Sequence, residues 1–184
     1  MFPLNNIDKT WTIFLDRDGV INDEKHMDYI HTWEEFTFYP GVKEAIRIFS
    51  EVFLHLFIIT NQRGVGKGVT RLEDLELIHK NMLSEITDEG GRIDAVYFCT
   101  DVEESSPCRK PNTGMGLLAK KEFPAVDFSK TIMVGNSMSD MEFGKRLGAK
   151  TILVRSGKEI DMKDQRIDAV YDSLISFAKA LTKR

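Results

Sequence analysis

Apolar residues cluster along this chain in short runs separated by longer amphipathic stretches. Residues 9–15 end in Ile13-Phe14-Leu15, and residues 53–60 form a nearly unbroken apolar run rich in branched and aromatic side chains. Such runs predict strands buried on both faces, as in the interior of a parallel sheet. Residues 93–98, 131–134 and 151–154 predict three more strands, and residues 169–171 a short sixth. The intervening stretches have a helical period. Residues 42–52 set Val42, Ala45, Ile46 and Phe49 on one face. A longer helix running to residue 88 buries Leu72, Leu75, Ile78, Leu83 and Ile86. Thr70 and Glu73 read as its capping box, and Gly90-Gly91 ends it. Residues 113–122, 137–147 and 173–181 predict three further helices.

Strands alternating with helices predict an α/β fold: a three-layer, Rossmann-like parallel sheet with helices on both faces and right-handed crossovers. Two stretches, 22–39 and 99–112, have no clear period and read as structured loops over the strand ends. They leave no room for a large cap domain. Without repeats or a linker, residues 1–184 are expected to form one domain, with these two loops framing its site.

Composition narrows the function class. The 184 residues are 42% hydrophobic and 29% charged, with a net charge of −4 and no long basic run, which argues against nucleic acid as a partner. No apolar stretch reaches the length of a membrane span. The start, Met-Phe-Pro-Leu-Asn-Asn, has no leader pattern, so a cytoplasmic protein is expected. The two cysteines, Cys99 and Cys108, are then expected to stay reduced and unpaired. Nothing in the sequence demands more than a monomer.

Candidate chemistry lies where the apolar runs end. Asp16 and Asp18 follow the first, and Gly19 lets the chain turn away. Thr60 and Asn61 end the second, Arg109-Lys110-Pro111 closes the loop after the third, and Gly135-Asn136-Ser137-Met-Ser139-Asp140 follows the fourth. Taken singly, these are a strand-end turn, a branched strand residue, a solvated lysine and a helix cap. In a parallel sheet the strand ends meet at one edge, where α/β proteins bind ligands. The set then combines carboxylates, a hydroxyl, an amide and a fixed cation, which is what phosphoryl transfer requires. A carboxylate can attack phosphorus. Its repulsion toward a phosphate dianion calls for Mg²⁺ and Lys110, and a second carboxylate two residues on can move the proton. The glycine-rich loop 61–68 is not a P-loop, since it lacks G-x-x-x-x-G-K-[ST]. Its Arg63 and Lys67 read equally as solvated surface charges or as partners for a second anionic group on the substrate, such as an anomeric phosphate.

The order D-x-D-G, T-N-Q, R-K-P, G-N-x-x-S-D resembles the haloacid dehalogenase phosphatase superfamily. Phe14-Leu-Asp-Arg-Asp-Gly-Val-Ile-Asn22, Tyr29-Ile-His31 and Cys108-Arg-Lys-Pro111 narrow the resemblance to the D-glycero-D-manno-heptose-1,7-bisphosphate phosphatases, with histidinol-phosphatases as near relatives. The match runs over residues 11–154. It implies Asp16 as nucleophile, Asp18 as general acid/base with its carbonyl on Mg²⁺, Thr60 and Lys110 on the phosphoryl group, and Asn61 and Arg109 toward substrate. The expected substrate is a small phosphorylated metabolite, chiefly a sugar phosphate.

Two departures qualify the resemblance. The position that usually supplies a third metal carboxylate is Asn136, whose alternative role is to cap the next helix. Mg²⁺ is therefore expected on Asp16, Asp18 and Asn136, with Asp140 ligating directly or through water. Relatives with a zinc loop carry C-x-H…C-x-C, whereas the matching positions here are Cys99, Asp101, Ser106 and Cys108. That set lacks four thiolate or imidazole ligands, so zinc is not expected. His26 and His31 lie in loop 22–39 with Tyr29 and Trp33, where a local hydrogen bond explains each histidine. A degenerate phosphate-binding protein without turnover, or transfer to an acceptor other than water, stays open on the sequence.

Overall fold

The computed structural model describes residues 4–155, 157 and 159–183. Residues 1–3, which carry part of the leader expectation, lie outside this range. All six predicted strands form: β1 (Thr12–Leu15), β2 (His55–Asn61), β3 (Ala95–Cys99), β4 (Thr131–Gly135), β5 (Lys150–Val154) and β6 (Ala169–Tyr171). They build one sheet in the order β3-β2-β1-β4-β5-β6, and every pairing is parallel. β1 begins later than the sequence predicts because Asp8 ties down the backbone and hydroxyl of Thr10 in a turn.

Alternate strand residues feed two cores, as the two-residue period of a strand requires. Ile13, Leu15, Leu56, Ile58, Ile132, Val134 and Ile152 face one side, where α1 (Val42–Val52), α3 (Leu72–Asp88) and α6 (Leu174–Thr182) cover them. Phe14, Phe57, Ile59 and Met133 face the other, under α4 (Gly114–Glu122) and α5 (Met138–Leu147). Burial of each large apolar side chain is worth roughly 1.5–3 kcal/mol, and the two layers together make the sheet continuously apolar. This is the predicted three-layer arrangement.

Three local expectations are corrected. Thr70 does not cap α3: Arg71 occupies the cap position without a side-chain bond, and the Thr70 hydroxyl pairs with His31 Nδ1 at 2.7 Å. Leu72 points outward, while His79 and Met82 join Leu75, Ile78 and Ile86 on the buried face. The glycine-rich stretch after β2 contains a short helix, α2 (Arg63–Gly66).

The topology selects one edge. The chain leaves β1 toward β2 on one side and leaves β4 toward β5 on the other, although β1 and β4 are neighbours. Their outgoing loops diverge, and a crevice opens between the strand ends. Loop 22–39 covers part of this edge. Ile30 and Phe36 are buried in it, and a 3-10 turn at Trp33–Glu35 stacks Trp33 on Phe36.

Candidate active site

β1 delivers Asp16 to the crevice, and a tight turn returns the chain. The Arg17 carbonyl accepts from the amides of Val20, Ile21 and Asn22, and the Gly19 amide donates to Asn22. Gly19 adopts φ +81°, a left-handed conformation that costs glycine little. A Cβ there would overlap the Asn136 side-chain amide arriving from β4.

Lys110 Nζ lies 2.9 Å from Asp16 Oδ1 and 2.6 Å from Asp140 Oδ1, and it donates to the Ile59 carbonyl at 2.7 Å. Its amine is buried, which works to lower its pKa. The charges of Asp140 and Asp16 more than offset that and raise it, so Lys110 stays charged. Asn61 fixes the lysine's backbone: its Oδ1 accepts from Lys110 N at 3.0 Å and its Nδ2 donates to Lys110 O at 3.1 Å. The Asn61 amide, expected to hold substrate, thus engages the backbone of Lys110 on both its atoms.

Asp140 has two tasks. Its Oδ2 accepts from the Ser137 amide and hydroxyl in the capping box of α5, while Oδ1 faces Lys110. Ser137 caps this helix, so Asn136 does not. Asn136 is buried and donates through Nδ2 to Glu24 Oε1 at 3.0 Å, which brings a carboxylate of loop 22–39 beside it.

Asp18 sits among donors. Arg17 Nη2 reaches its two oxygens at 2.8 and 3.0 Å, Asn22 Nδ2 reaches Oδ1 at 3.0 Å, and Gln62 Nε2 reaches Oδ2 at 2.8 Å. Burial works to raise this carboxyl, but the Arg17 charge and the hydrogen bonds outweigh it and hold the pKa below the usual range. Gln62 also donates to Thr60 Oγ1 at 2.9 Å, so the Thr60 hydroxyl keeps its own hydrogen to donate elsewhere.

Asp16 is driven the other way. Burial and the charge of Asp140 raise it, Lys110 opposes them, and Asp18 adds to the rise; the carboxyl is pushed up to about 7. Three carboxylates (Asp16, Asp18, Asp140) stand against two fixed cations, Lys110 and Arg17, so one negative charge lacks a counter-charge.

Arg63 and Arg109 follow Gln62 and precede Lys110 in the chain, and both lie near Glu104, with Arg63 Nη2 4.0 Å from its Oε1. Arg63 donates to the Val102 carbonyl at 3.0 Å, and its buried Nε has no hydrogen-bond partner. Burial first, and then the neighbouring Arg63 charge, lower the pKa of Arg109. Lys67 lies over the Tyr29 ring at 5.5 Å. His31 ties loop 22–39 to Thr70 and contacts Asp28, whereas His26 is exposed.

The comparisons with known proteins fall on this architecture. A HAD-hydrolase-like family model matches residues 107–177. The D-glycero-beta-D-manno-heptose-1,7-bisphosphate 7-phosphatase of Rhodopseudomonas palustris is 39% identical over 157 residues, covering 81% of this chain and 85% of that protein. The D-glycero-alpha-D-manno-heptose-1,7-bisphosphate 7-phosphatase of Mycobacterium bovis is 32% identical over 173 residues, covering 93% and 91%. The chain belongs to the heptose-1,7-bisphosphate 7-phosphatase family. Among solved structures, the D,D-heptose 1,7-bisphosphate phosphatase of B. bronchiseptica, complexed with magnesium and phosphate, superposes with a TM-score of 0.85 at 26% identity, covering 94% of this chain and 98% of that one.

In this heptose-bisphosphatase relative, the four motif groups picked out on the sequence meet at one sheet edge. Arg17, Asn22 and Gln62 lie within those motifs, and the structure puts all three on Asp18. Glu24 and His79 lie outside the motifs, and the structure brings them to Asn136 and Arg17. The one sign of His79 was a histidine interrupting the apolar stripe of α3.

The cysteine expectation is corrected. Cys99 at the end of β3 and Cys108 are joined in a disulfide, with their Cα atoms 5.7 Å apart. Asp101 and Ser106 lie beside them, and Ser106 Oγ donates to Asp101. The sequence placed the pair in a reducing compartment and so kept them apart. The return of loop 99–108 to the β3 end is a tertiary feature that spacing alone does not reveal.

Proposed function

We propose that this chain is a Mg²⁺-dependent phosphomonoesterase that removes the 7-phosphate of D-glycero-D-manno-heptose 1,7-bisphosphate through an aspartyl-phosphate, as a cytoplasmic monomer. The observation that carries this reading is the charge arrangement: an attacking carboxylate, Asp16, 2.9 Å from a buried lysine at the crevice of a parallel sheet.

The residues present fit a hard divalent cation. Asp16 is under-compensated, and its neighbours offer oxygen donors. Asp16, the Asp18 carbonyl and Asn136 would hold Mg²⁺, with Asp140 at one remove because its oxygens already serve Ser137 and Lys110. When bound, the cation supplies the positive charge that lets a carboxylate approach a phosphate dianion.

The chain's own residues do the rest. Thr60, whose oxygen accepts from Gln62 and whose hydrogen is left to donate, and Lys110 hold the phosphoryl oxygens in line with Asp16. Asp16 attacks phosphorus and the P–O bond to the sugar breaks; the negative phosphate beside Asp18 opposes the lowering by Arg17 and favours its protonated form, which gives its proton to the leaving oxygen. Asp18, now ionised, takes a proton from water as that water attacks phosphorus, which releases phosphate and restores Asp16. Arg63 and Arg109, with Lys67 beside them, face the second, anomeric phosphate. Asn61 serves the substrate indirectly, by placing Lys110.

The test is a kcat/KM panel, with and without Mg²⁺, covering both anomers of the heptose bisphosphate, histidinol phosphate and simpler sugar phosphates. A heptose bisphosphate is expected to rank first, with turnover lost in Asp16→Asn. Preference for histidinol phosphate would reassign the substrate. Binding without turnover would make the chain a phosphate-binding protein.

A further inference from the structure

One polar residue interrupts the buried face of α3. His79 is 7% exposed, between Leu75 and Ile78 on one side and Met82 on the other. Its ring packs on Phe98 with centroids 5.4 Å apart, and its Nε2 lies 3.1 Å from Arg17 Nη1. Arg17 is itself fully buried. Its Nε and Nη2 both point at Asp18, at 3.3 and 2.8 Å to Oδ1. A guanidinium carries only donors, so the Arg17–His79 bond requires His79 Nε2 to be the acceptor. The imidazole is therefore neutral, with its hydrogen on Nδ1. Burial and the Arg17 charge both hold it neutral.

The choice of acceptor matters. A buried guanidinium left with an unused N–H loses hydrogen-bond energy and turns to find a partner. A carboxylate in place of His79 would satisfy that N–H but would draw the Arg17 charge away from Asp18. A neutral imidazole satisfies it and leaves the full cation on Asp18. Phe98 limits the imidazole's freedom, so orientation passes from α3 through Arg17 to the Asp18 carboxylate.

We infer that His79 is a positioning residue for leaving-group protonation, acting through Arg17 to aim Asp18 at the ester oxygen. The inference rests on the reading of Asp16 as nucleophile and Asp18 as acid. It makes a claim that a general packing role would not. A sugar alkoxide leaves poorly without a proton, whereas p-nitrophenolate needs none. Misaimed Asp18 should therefore slow the first ester far more than the second, and kcat/KM reports the step in which the ester bond breaks.

The experiment compares kcat/KM for the heptose bisphosphate and p-nitrophenyl phosphate in the full-length wild type, His79→Leu, His79→Gln, His79→Glu and Asp18→Asn. His79→Leu is expected to lose about 30-fold or more on the sugar ester, within the range that general acid catalysis supplies, and less than about threefold on the aryl ester. His79→Gln keeps a neutral acceptor and should recover most of the loss. His79→Glu keeps an acceptor, and so guards against misfolding of the leucine variant, yet it should show the same ester-selective loss because it competes for Arg17. Equal losses on both esters, or wild-type behaviour in both His79→Leu and His79→Glu, would overturn the inference. Asp18→Asn separates the two levels. If it shows the ester-selective loss and the His79 variants do not, only the positioning role fails. If it loses both esters equally, the acid assignment of Asp18 fails, and the role of His79 fails with it.

Discussion

Lys110 stands 2.6 Å from an oxygen of Asp140 whose partner oxygen already starts α5. The lysine that faces the nucleophile is thus referenced to the first turn of a helix, and the Asn61 amide fixes its backbone as well. Its charge is the main force holding the Asp16 carboxyl down against burial and Asp140.

Lys110→Met should therefore lower kcat about 10²–10³-fold, comparable to the loss of one electrostatic donor in other enzymes. It should also cost about 3 kcal/mol of stability at neutral pH, because it leaves buried carboxylates without a counter-charge. Asp16 in the variant is raised still further above its unfolded value. A raised acid contributes stability below its unfolded pKa and loses it as pH rises, so the deficit should be smaller at pH 5 than at pH 8. Urea unfolding at the two pH values checks this; an equal deficit would count against it.

His79 makes a separate pH prediction. Its pKa is pushed from 6.5 to about 3 by burial and by Arg17, so the folded protein keeps it neutral while the unfolded chain protonates it. Stability from this group is complete above the unfolded value near 6.5 and is lost as pH falls toward 3, at about 1.4 kcal/mol per pH unit. Between pH 6 and pH 4, His79→Gln should show a shallower fall in unfolding free energy than the wild type. Parallel curves would show that His79 titrates normally.

The Cys99–Cys108 pair closes a short loop that ends two residues before Lys110. Loop-closure entropy gives such a bond roughly 2–3 kcal/mol. Reduction, or Cys108→Ser, should lower Tm by roughly 5–10 °C. Alkylation without prior reduction should leave both cysteines unmodified in mass spectrometry, and metal analysis should find no stoichiometric zinc. Two free thiols with bound zinc would replace this picture.

Arg63 carries a buried Nε without a partner, beside Arg109. Arg63→Ala should reduce the preference for heptose bisphosphate over the corresponding 7-monophosphate about tenfold, the order expected for one charged hydrogen bond. Competition between the two substrates measures the ratio. An unchanged ratio would place the second phosphate elsewhere.

Much of the fold was legible because parallel strands buried on both faces read as continuous apolar runs, as in Leu56–Ile59 and Ile132–Val134. The strand ends then announced the candidate site, since Asp16, Thr60 and Asn136 each stand where an apolar run stops. What escaped sequence reading were relations across the fold. Thr70 looked like a cap because a capping box is a local pattern, but His31, distant in sequence, claims its hydroxyl. Asn61 looked available to substrate because nothing local shows that Lys110 returns to it. Leu72 fitted the helical period yet lies beyond the stripe that meets the sheet. His79 was passed over as one polar residue among apolar ones, although its partner, Arg17, stands between the two carboxylates singled out first.

Gly19 has no side chain where the amide of Asn136 lies, and that contact limits the order in which this chain can change. A larger residue at position 19 meets the Asn136 amide and must also hold the left-handed backbone, so a smaller residue at 136 removes only the first obstacle. The reverse order meets no steric obstacle, although shortening Asn136 gives up its bond to Glu24 and a proposed metal ligand. The two loops leaving β1 and β4 therefore form a ratchet: Asn136 can be altered first and tested alone, whereas any variant of Gly19 must be read against its neighbour.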